Sequence, residues 1–322
     1  MKRLVILALF AAVICTGCEK DVEGLESSFI NGLNFSNYPR IDCSTSALPL
    51  NMLIACELLG VNHRWEYDFK EGVWGIEPKL KNHNSAKFKK LIRSSSTHQS
   101  FINLIDKKED LILVARKMSE DEKAHADAAG VSLIETPIAL DAFVFIVHHS
   151  NPVQALTIEQ IQDIYTAKTR NWKYVGGNDA VIKPFVRNAN SGSQELMESL
   201  VMKDLGMSSY FEVYDDLTEY VIRNMTGAFI AVSNDMNPNA ICYSIHYYKE
   251  HIIRTKKTKS IAVNGILPNK ENIGNGTYPF IEPVYAVIRS DLDKSSMAYK
   301  VYQWLQTEEG KKAINASGYL TY

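Results

Sequence analysis

The stretch IALDAFVFIVHHSNPVQALTIEQIQDIYTAKTRNW, residues 138–172, decides the fold class of this 322-residue chain. Within it Ala142–Val147 is a short, wholly apolar run with strand character. After a polar turn containing Pro152, Ile158–Tyr165 places apolar residues at helical spacing. The same alternation recurs outward in both directions: Ser46–Leu59 reads as a helix, Leu111–Ala115 as a strand, Gln194–Met202 as a helix, and Tyr299–Ile314 as one closing amphipathic helix. Strands alternating with helices imply an α/β class. A chain this long exceeds what one compact core usually serves, so two lobes are expected.

The N-terminus, MKRLVILALFAAVICTGC, has a basic start at Lys2 and Arg3, an apolar run from Leu4 to Cys15, and small residues before Cys18. That run is too short to span a membrane and has the layout of an export signal over residues 1–17. Cys15-Thr16-Gly17-Cys18 is similar to a lipobox, with Cys15 where a branched aliphatic is usual, which makes Cys18 the expected lipidation site on the extracytoplasmic side of a bacterial membrane. No later window reaches about 18 continuous apolar residues, so the membrane is met through the lipid anchor only. Residues 18–37, with Gly24, Ser27, Ser28, Asn31 and Gly32, suit a polar tether.

Loss of residues 1–17 takes the 35 Lys and Arg to 33 against 37 Asp and Glu, a net charge of −4. A nucleic-acid protein would be strongly basic, so that partner class is excluded. Cys43, Cys56 and Cys242 then remain, an odd number with no CxxC pair, which is neither a disulfide framework nor a zinc signature. No cofactor or metal is expected.

The sharpest chemical signal is Arg187-Asn-Ala-Asn-Ser191-Gly192-Ser193 running directly into QELMESLVM. A Ser-Gly-Ser turn that opens a helix aims backbone N–H groups, a positive dipole end and hydroxyls at one point, and Arg187 adds a forked donor. Taken alone, the bland alternative is a helix cap beside a surface arginine. Two further clusters repeat the chemistry. Asp42-Cys-Ser44-Thr45-Ser46 precedes the helix from residue 46, and Ser94-Ser-Ser96-Thr97-His98 precedes FINLI. Three hydroxyl-rich helix starts in one chain point to an oxyanion.

With these segments in place the chain resembles the phosphate-type periplasmic solute-binding proteins that serve phosphate ABC transporters. DCSTSALPL is similar to that family's first loop, and DLILVAR (110–116) and residues 138–172 to longer blocks. VRNANSGSQELM resembles its Arg-x-x-x-Ser-Gly-Thr pattern with Ser193 for threonine, and residues 263–280 and 304–320 resemble its C-terminal blocks. The resemblance implies a type 2 binding-protein fold of two α/β lobes joined by two crossing strands. Lobe one would hold 38–147 plus 263–322 and lobe two 148–262, with the ligand in the cleft between them. It further implies a monomeric, non-enzymatic receptor that passes inorganic phosphate, or a similar oxyanion, to an ABC permease. The implied ligand-binding residues are Ser44, Thr45, Ser46, Ser96, Thr97, Arg116, Arg187, Ser191, Gly192 and Ser193.

Three departures bear on this. Cys43 and Cys242 stand where glycines are usual, and Arg116 lies where some members carry an aspartate that accepts a proton from phosphate. Arginine cannot accept a hydrogen bond, and Arg116 has Glu120 and Glu122 nearby in sequence as alternative partners. An enzyme would need a nucleophile elbow, a His-Glu-x-x-His or a Walker loop, and none occurs. His148-His149 and His246 to His251 read as surface or tyrosine-rich helix residues, and Asp216 of the pair Asp215-Asp216 as a helix cap. A surface-tethered sensor of the same fold, or a receptor for sulfate, molybdate or an organic phosphate, are the alternatives in function.

Overall fold

The computed structural model describes residues 21–203, 205–207, 221–222, 224–236 and 238–322. The export signal, Cys18 and the Asp215-Asp216 pair fall outside the described residues. The organising element is one 16-residue strand, β5 (Leu133–His148), whose second half contains the apolar run that sequence singles out. Its first half is flanked by β13 (Ile281–Arg289) and β14 (Leu320–Thr321), and its second half by β10 (Ala240–Ile245) and β11 (Thr258–Ser260). The full path runs β1 (Ile41–Cys43), β4 (Leu111–Val114), β13, β5, β10 and β7 (Lys183–Pro184). The two halves of β5 thus pair with different sets of strands. The changeover lies at Ala142/Phe143, where the partner switches from Ile281 to Ile245. The chain returns alongside β5 through residues 261–281, where Ile261 N–H donates to the Phe145 carbonyl at 3.1 Å and Phe143 N–H to the Phe280 carbonyl at 2.9 Å.

Smaller pairings complete the frame. β2 (His63–Asp68) and β3 (Val73–Pro78) form an antiparallel hairpin, β6 (Ala155–Leu156) pairs β12 (Ala262–Val263), and β8 (Val186–Arg187) pairs β9 (Val221–Ile222). The Leu-Ile-Leu-Val of β4 is buried throughout, as a strand covered on both faces must be. Helix α1 (Leu48–Leu58), with Pro49 in its first turn, buries nearly all of its side chains. Among the described residues the remaining α-helices are α2 (Asn82–Lys89), α3 (Thr97–Ile105), α4 (Glu120–Ala128), α5 (Ile158–Tyr165), α6 (Gly192–Leu196), α7 (Met225–Ser233), α8 (Lys270–Gly274), α9 (Met297–Trp304) and α10 (Glu308–Ala316). A capping box between Thr157 and Gln160 starts α5 where the sequence places it.

Some expectations are corrected. Residues 21–37 pack on the body instead of forming a tether, with Val22, Leu25, Ile30 and Leu33 in the main core. Their polar surroundings mask these apolar anchors in the sequence. The closing helix is two, because Thr307 caps α10 by accepting the Gly310 N–H at 3.2 Å. Gly310 permits the sharp turn, since a Cβ there would lie 2.1 Å from the Trp304 carbonyl oxygen. The helix over Gln194–Met202 is α-helical only to Leu196 and continues to Met202 with π-type hydrogen bonding.

Candidate functional site

Two loops, after β1 and before α3, are tied together by a single carboxylate. Asp42 at the middle of β1 accepts the N–H of Cys43 at 2.8 Å and of Ser95 at 2.9 Å, and the Asn103 amide at 3.1 Å. Ser44 N–H donates to the Leu113 carbonyl at 2.9 Å, and Thr45–Ala47 then turns tightly into α1. In the second loop Ser96 sits at φ 72°, a strained left-handed position for a residue with a Cβ, and its carbonyl accepts from the Ser100 side chain at 2.7 Å. The Thr97 start of α3 is thereby aimed at the same point as the Thr45 turn.

The segment from β8 into α6 supplies the arginine and the Ser-Gly-Ser turn. Arg187 ends β8, its N–H held by the Tyr243 hydroxyl at 3.0 Å and Gln194 Oε1 at 3.1 Å. Its Nε donates to the Ile222 carbonyl at 3.0 Å and Nη1 lies 3.1 Å from Met225 Sδ. The residue is 8% exposed, and burial penalises its charged form, pushing the guanidinium below its ordinary value. Among the described residues no carboxylate is within ion-pair distance of it. Asn190, at φ 64°, turns the chain so that Ser191 precedes α6.

These loops meet around one cleft of about 250 Å³, whose walls include Ser44, Thr45, Ser46, Ser96, Thr97, Arg116, Arg187, Ser191, Gly192 and Ser193. All ten ligand-binding residues expected from sequence therefore line one cleft. Among the described residues the hydroxyls of Thr45, Ser96, Thr97 and Ser191 have no hydrogen-bond partner, whereas Ser44 and Ser46 share a 3.3 Å contact. Gly192 lies directly against Thr97, since a Cβ on the glycine would fall 2.5 Å from Thr97 Oγ1.

Arg116 differs from Arg187. Its guanidinium is held by Glu122 through Nη1 at 2.8 Å and Nη2 at 2.7 Å, and Nη1 also donates to the Lys117 carbonyl. Both partners are buried, and Glu122 also accepts the Ser119 N–H and contacts His98 Nδ1. Arg116 keeps an unpartnered buried Nε, but its charge is neutralised, so the net positive charge of the cleft rests on Arg187.

Sequence reasoning missed Asn188, Asn190, Asn224, Met225, Thr226, Ile245 and Tyr248 in the walls. The signal for one group was present: Asn224 caps α7 by accepting the Gly227 N–H at 2.6 Å, a fourth polar helix start in the run Asn-Met-Thr-Gly. Cys43, Cys56 and Cys242 are all buried, and burial pushes the Cys43 and Cys242 thiols up to about 12. Cys43 faces away from the walls, its sulfur donating to the Arg93 carbonyl. His148, expected at the surface, is buried between Ser150 and Asp235.

Comparison with known proteins gives a consistent picture. A family model described as the PBP superfamily domain matches residues 75–309. Protein SphX of Synechococcus elongatus is 22% identical over 229 residues, which span 67% of this chain and 64% of that protein. Phosphate-binding protein PstS of Staphylococcus epidermidis is 25% identical over 246 residues, 74% of this chain and 71% of that protein. A phosphate ABC transporter substrate-binding protein from Clostridium perfringens, solved with bound phosphate, superposes with a TM-score of 0.63 at 22% identity over 88% of this chain and 98% of that one. An ABC-type phosphate transport receptor from Vibrio cholerae gives a TM-score of 0.58 at 22% identity, over 87% and 98%. The two-lobed α/β fold is common to all of these structures.

Proposed function

Because this chain belongs to the PBP superfamily, we propose that it captures a tetrahedral oxyanion, inorganic phosphate first, between its lobes and delivers it to an ABC transporter permease. The observation that carries this reading is Arg187: a buried guanidinium without a carboxylate partner among the described residues, facing unengaged hydroxyls at helix starts. A buried charge needs a counter-charge, and an anion in the cleft supplies it. The proposed ligand set is Ser44, Thr45, Ser46, Ser96, Thr97, Arg187, Ser191, Gly192 and Ser193, with Arg116 shaping the wall through its pair with Glu122.

Both lobes contribute donors, so the ligand favours the closed arrangement in which it touches both. The lobes are assigned as 38–147 plus 263–322 and 148–262, and the pairing changeover at Ala142/Phe143 argues for drawing the first boundary a few residues earlier. Anchorage through Cys18, an extracytoplasmic location and a monomeric state belong to the same proposal.

Isothermal titration calorimetry of the protein, refolded to strip carried-over ligand, tests it against phosphate, sulfate, molybdate and glycerol phosphate. Saturable one-to-one binding of phosphate is expected. No heat with any of the four from folded protein would overturn the transport reading and favour a sensor or scaffold built on this fold. The cleft is below the roughly 300–1,000 Å³ typical of organic-ligand pockets, which suits a compact anion head.

A further inference from the structure

A second concavity, of about 550 Å³, lies between the β2–β3 hairpin and the first turns of α1. Its apolar walls include Leu48 and Met52 from α1, Tyr67 and Trp74 from the hairpin, and Ile252. Thr45 and Tyr248 line both this groove and the anion cleft, so the two spaces adjoin across them. Tyr248 turns its hydroxyl toward Thr226 in the cleft, at 3.0 Å, while its side chain also walls the groove.

The aromatic wall is a built surface. Tyr67 and Trp74 are cross-strand partners with ring centroids 5.6 Å apart, and Phe69 meets Tyr67 edge to face at 5.0 Å while 90% exposed. Arg254 lies over Trp65 and Trp74 at 4.7 and 4.6 Å from their centroids, which fixes the indoles. A compact inorganic anion in the cleft would leave this surface unused. Its volume is that of an organic-ligand site.

We infer that the groove is a subsite for the organic substituent of a singly substituted phosphoryl or phosphonyl compound, whose anionic head occupies the cleft and whose apolar ring or chain passes over Thr45 onto Tyr67 and Trp74. This rests on the anion reading of the cleft. The ligand class is then an uncharged alkyl or aryl group carrying one tetrahedral anionic head.

The test is calorimetry of the full chain with inorganic phosphate and with phenyl phosphate, in wild type and in Trp74→Ala and Leu48→Gln. Leu48 is 39% exposed at the start of α1 and lines the groove without lining the cleft, so its polar replacement leaves the fold in place. Wild type is expected to bind phenyl phosphate about tenfold or more tighter than inorganic phosphate, the advantage of taking a phenyl ring out of water. Both variants should reduce that ratio with the inorganic phosphate affinity unchanged. Inorganic phosphate binding as well as or better than phenyl phosphate would overturn the subsite and leave the groove to another occupant, such as a protein partner. Failure of both ligands to bind folded protein would instead overturn the anion reading beneath it.

Discussion

Gly192 and Thr97, on opposite sides of the cleft, touch so closely that no side chain fits between them: a Cβ on Gly192 would sit 2.5 Å from Thr97 Oγ1 and 3.2 Å from Thr97 Cβ. The contact joins the start of α6 to the start of α3 at the cleft, so the glycine is required by closure and not by its own helix. Gly192→Ala is expected to fold with an unchanged melting temperature and yet to lose about tenfold or more in anion affinity, since the lobes must stay apart to admit the methyl. Small-angle scattering with and without phosphate checks this. Ligand should compact the wild type and leave the variant unchanged.

The two cleft arginines are expected to separate affinity from stability. Arg187→Ala removes a charge-assisted donor contributing about 1.5–3 kcal/mol, so binding should weaken at least ~10-fold by calorimetry, with little cost to folding in the absence of ligand. Unchanged affinity would remove Arg187 from the site. Ser191→Ala should cost less, because the hydroxyl brings a single donor and no charge of its own to the anion, whereas Arg187 brings a full positive charge.

Glu122→Ala leaves Arg116 buried without its counter-ion, and breaking such a pair costs about 3–5 kcal/mol. Urea unfolding should show that loss. The affinity of the protein that remains folded should change less than in Arg187→Ala.

Asp141 sits in β5 beside the pairing changeover. Burial raises its carboxyl from the usual range to about 8, against the lowering effect of hydrogen bonds from the Tyr247 and Ala142 N–H groups. Its Oδ2 has no partner. Unfolded, the group titrates near ~4. Between these values the native state holds a proton that the unfolded chain has released, so this residue's contribution to stability falls as pH rises, by about 1.4 kcal/mol per unit. Asp141→Asn should flatten that slope between pH 5 and about 8 in thermal melts. A wild-type slope identical to the variant's would refute the assignment.

Cys43, Cys56 and Cys242 should be silent toward a thiol reagent such as Ellman's until the protein unfolds, because all three are buried and burial pushes each thiol to about 12. Fast labelling of native protein at pH 8 would show that Cys43 is reachable from the cleft.

Much of this was legible in the sequence, and for identifiable reasons. The Ser-Gly-Ser turn and the two hydroxyl clusters announce themselves because helix starts have strong local chemistry. The apolar runs of β4 and β5 announce themselves because buried strands are continuous. What was not legible depends on distance in the chain. The length of β5 was hidden because its first half, Leu133–Asp141, mixes polar residues with apolar ones. The burial of Val22, Leu25, Ile30 and Leu33 depends on a surface that distant segments create. The Arg116–Glu122 pair was visible as one option among neighbours, and only geometry could choose it. The hairpin aromatics Tyr67 and Trp74 carry no helix-start signal, so nothing local in the sequence ties them to a site.

The 16-residue strand β5, paired to different strands along its two halves, has a consequence for how the molecule comes apart. A receptor whose halves were strung on loose linkers would melt as two independent bodies. Here the backbone amides at the middle of β5 are bonded into both halves, and neither half can release its hydrogen bonds without disturbing the other's register. The strand makes the pair one cooperative folding unit, so its central amides should exchange with deuterium only when the whole chain opens.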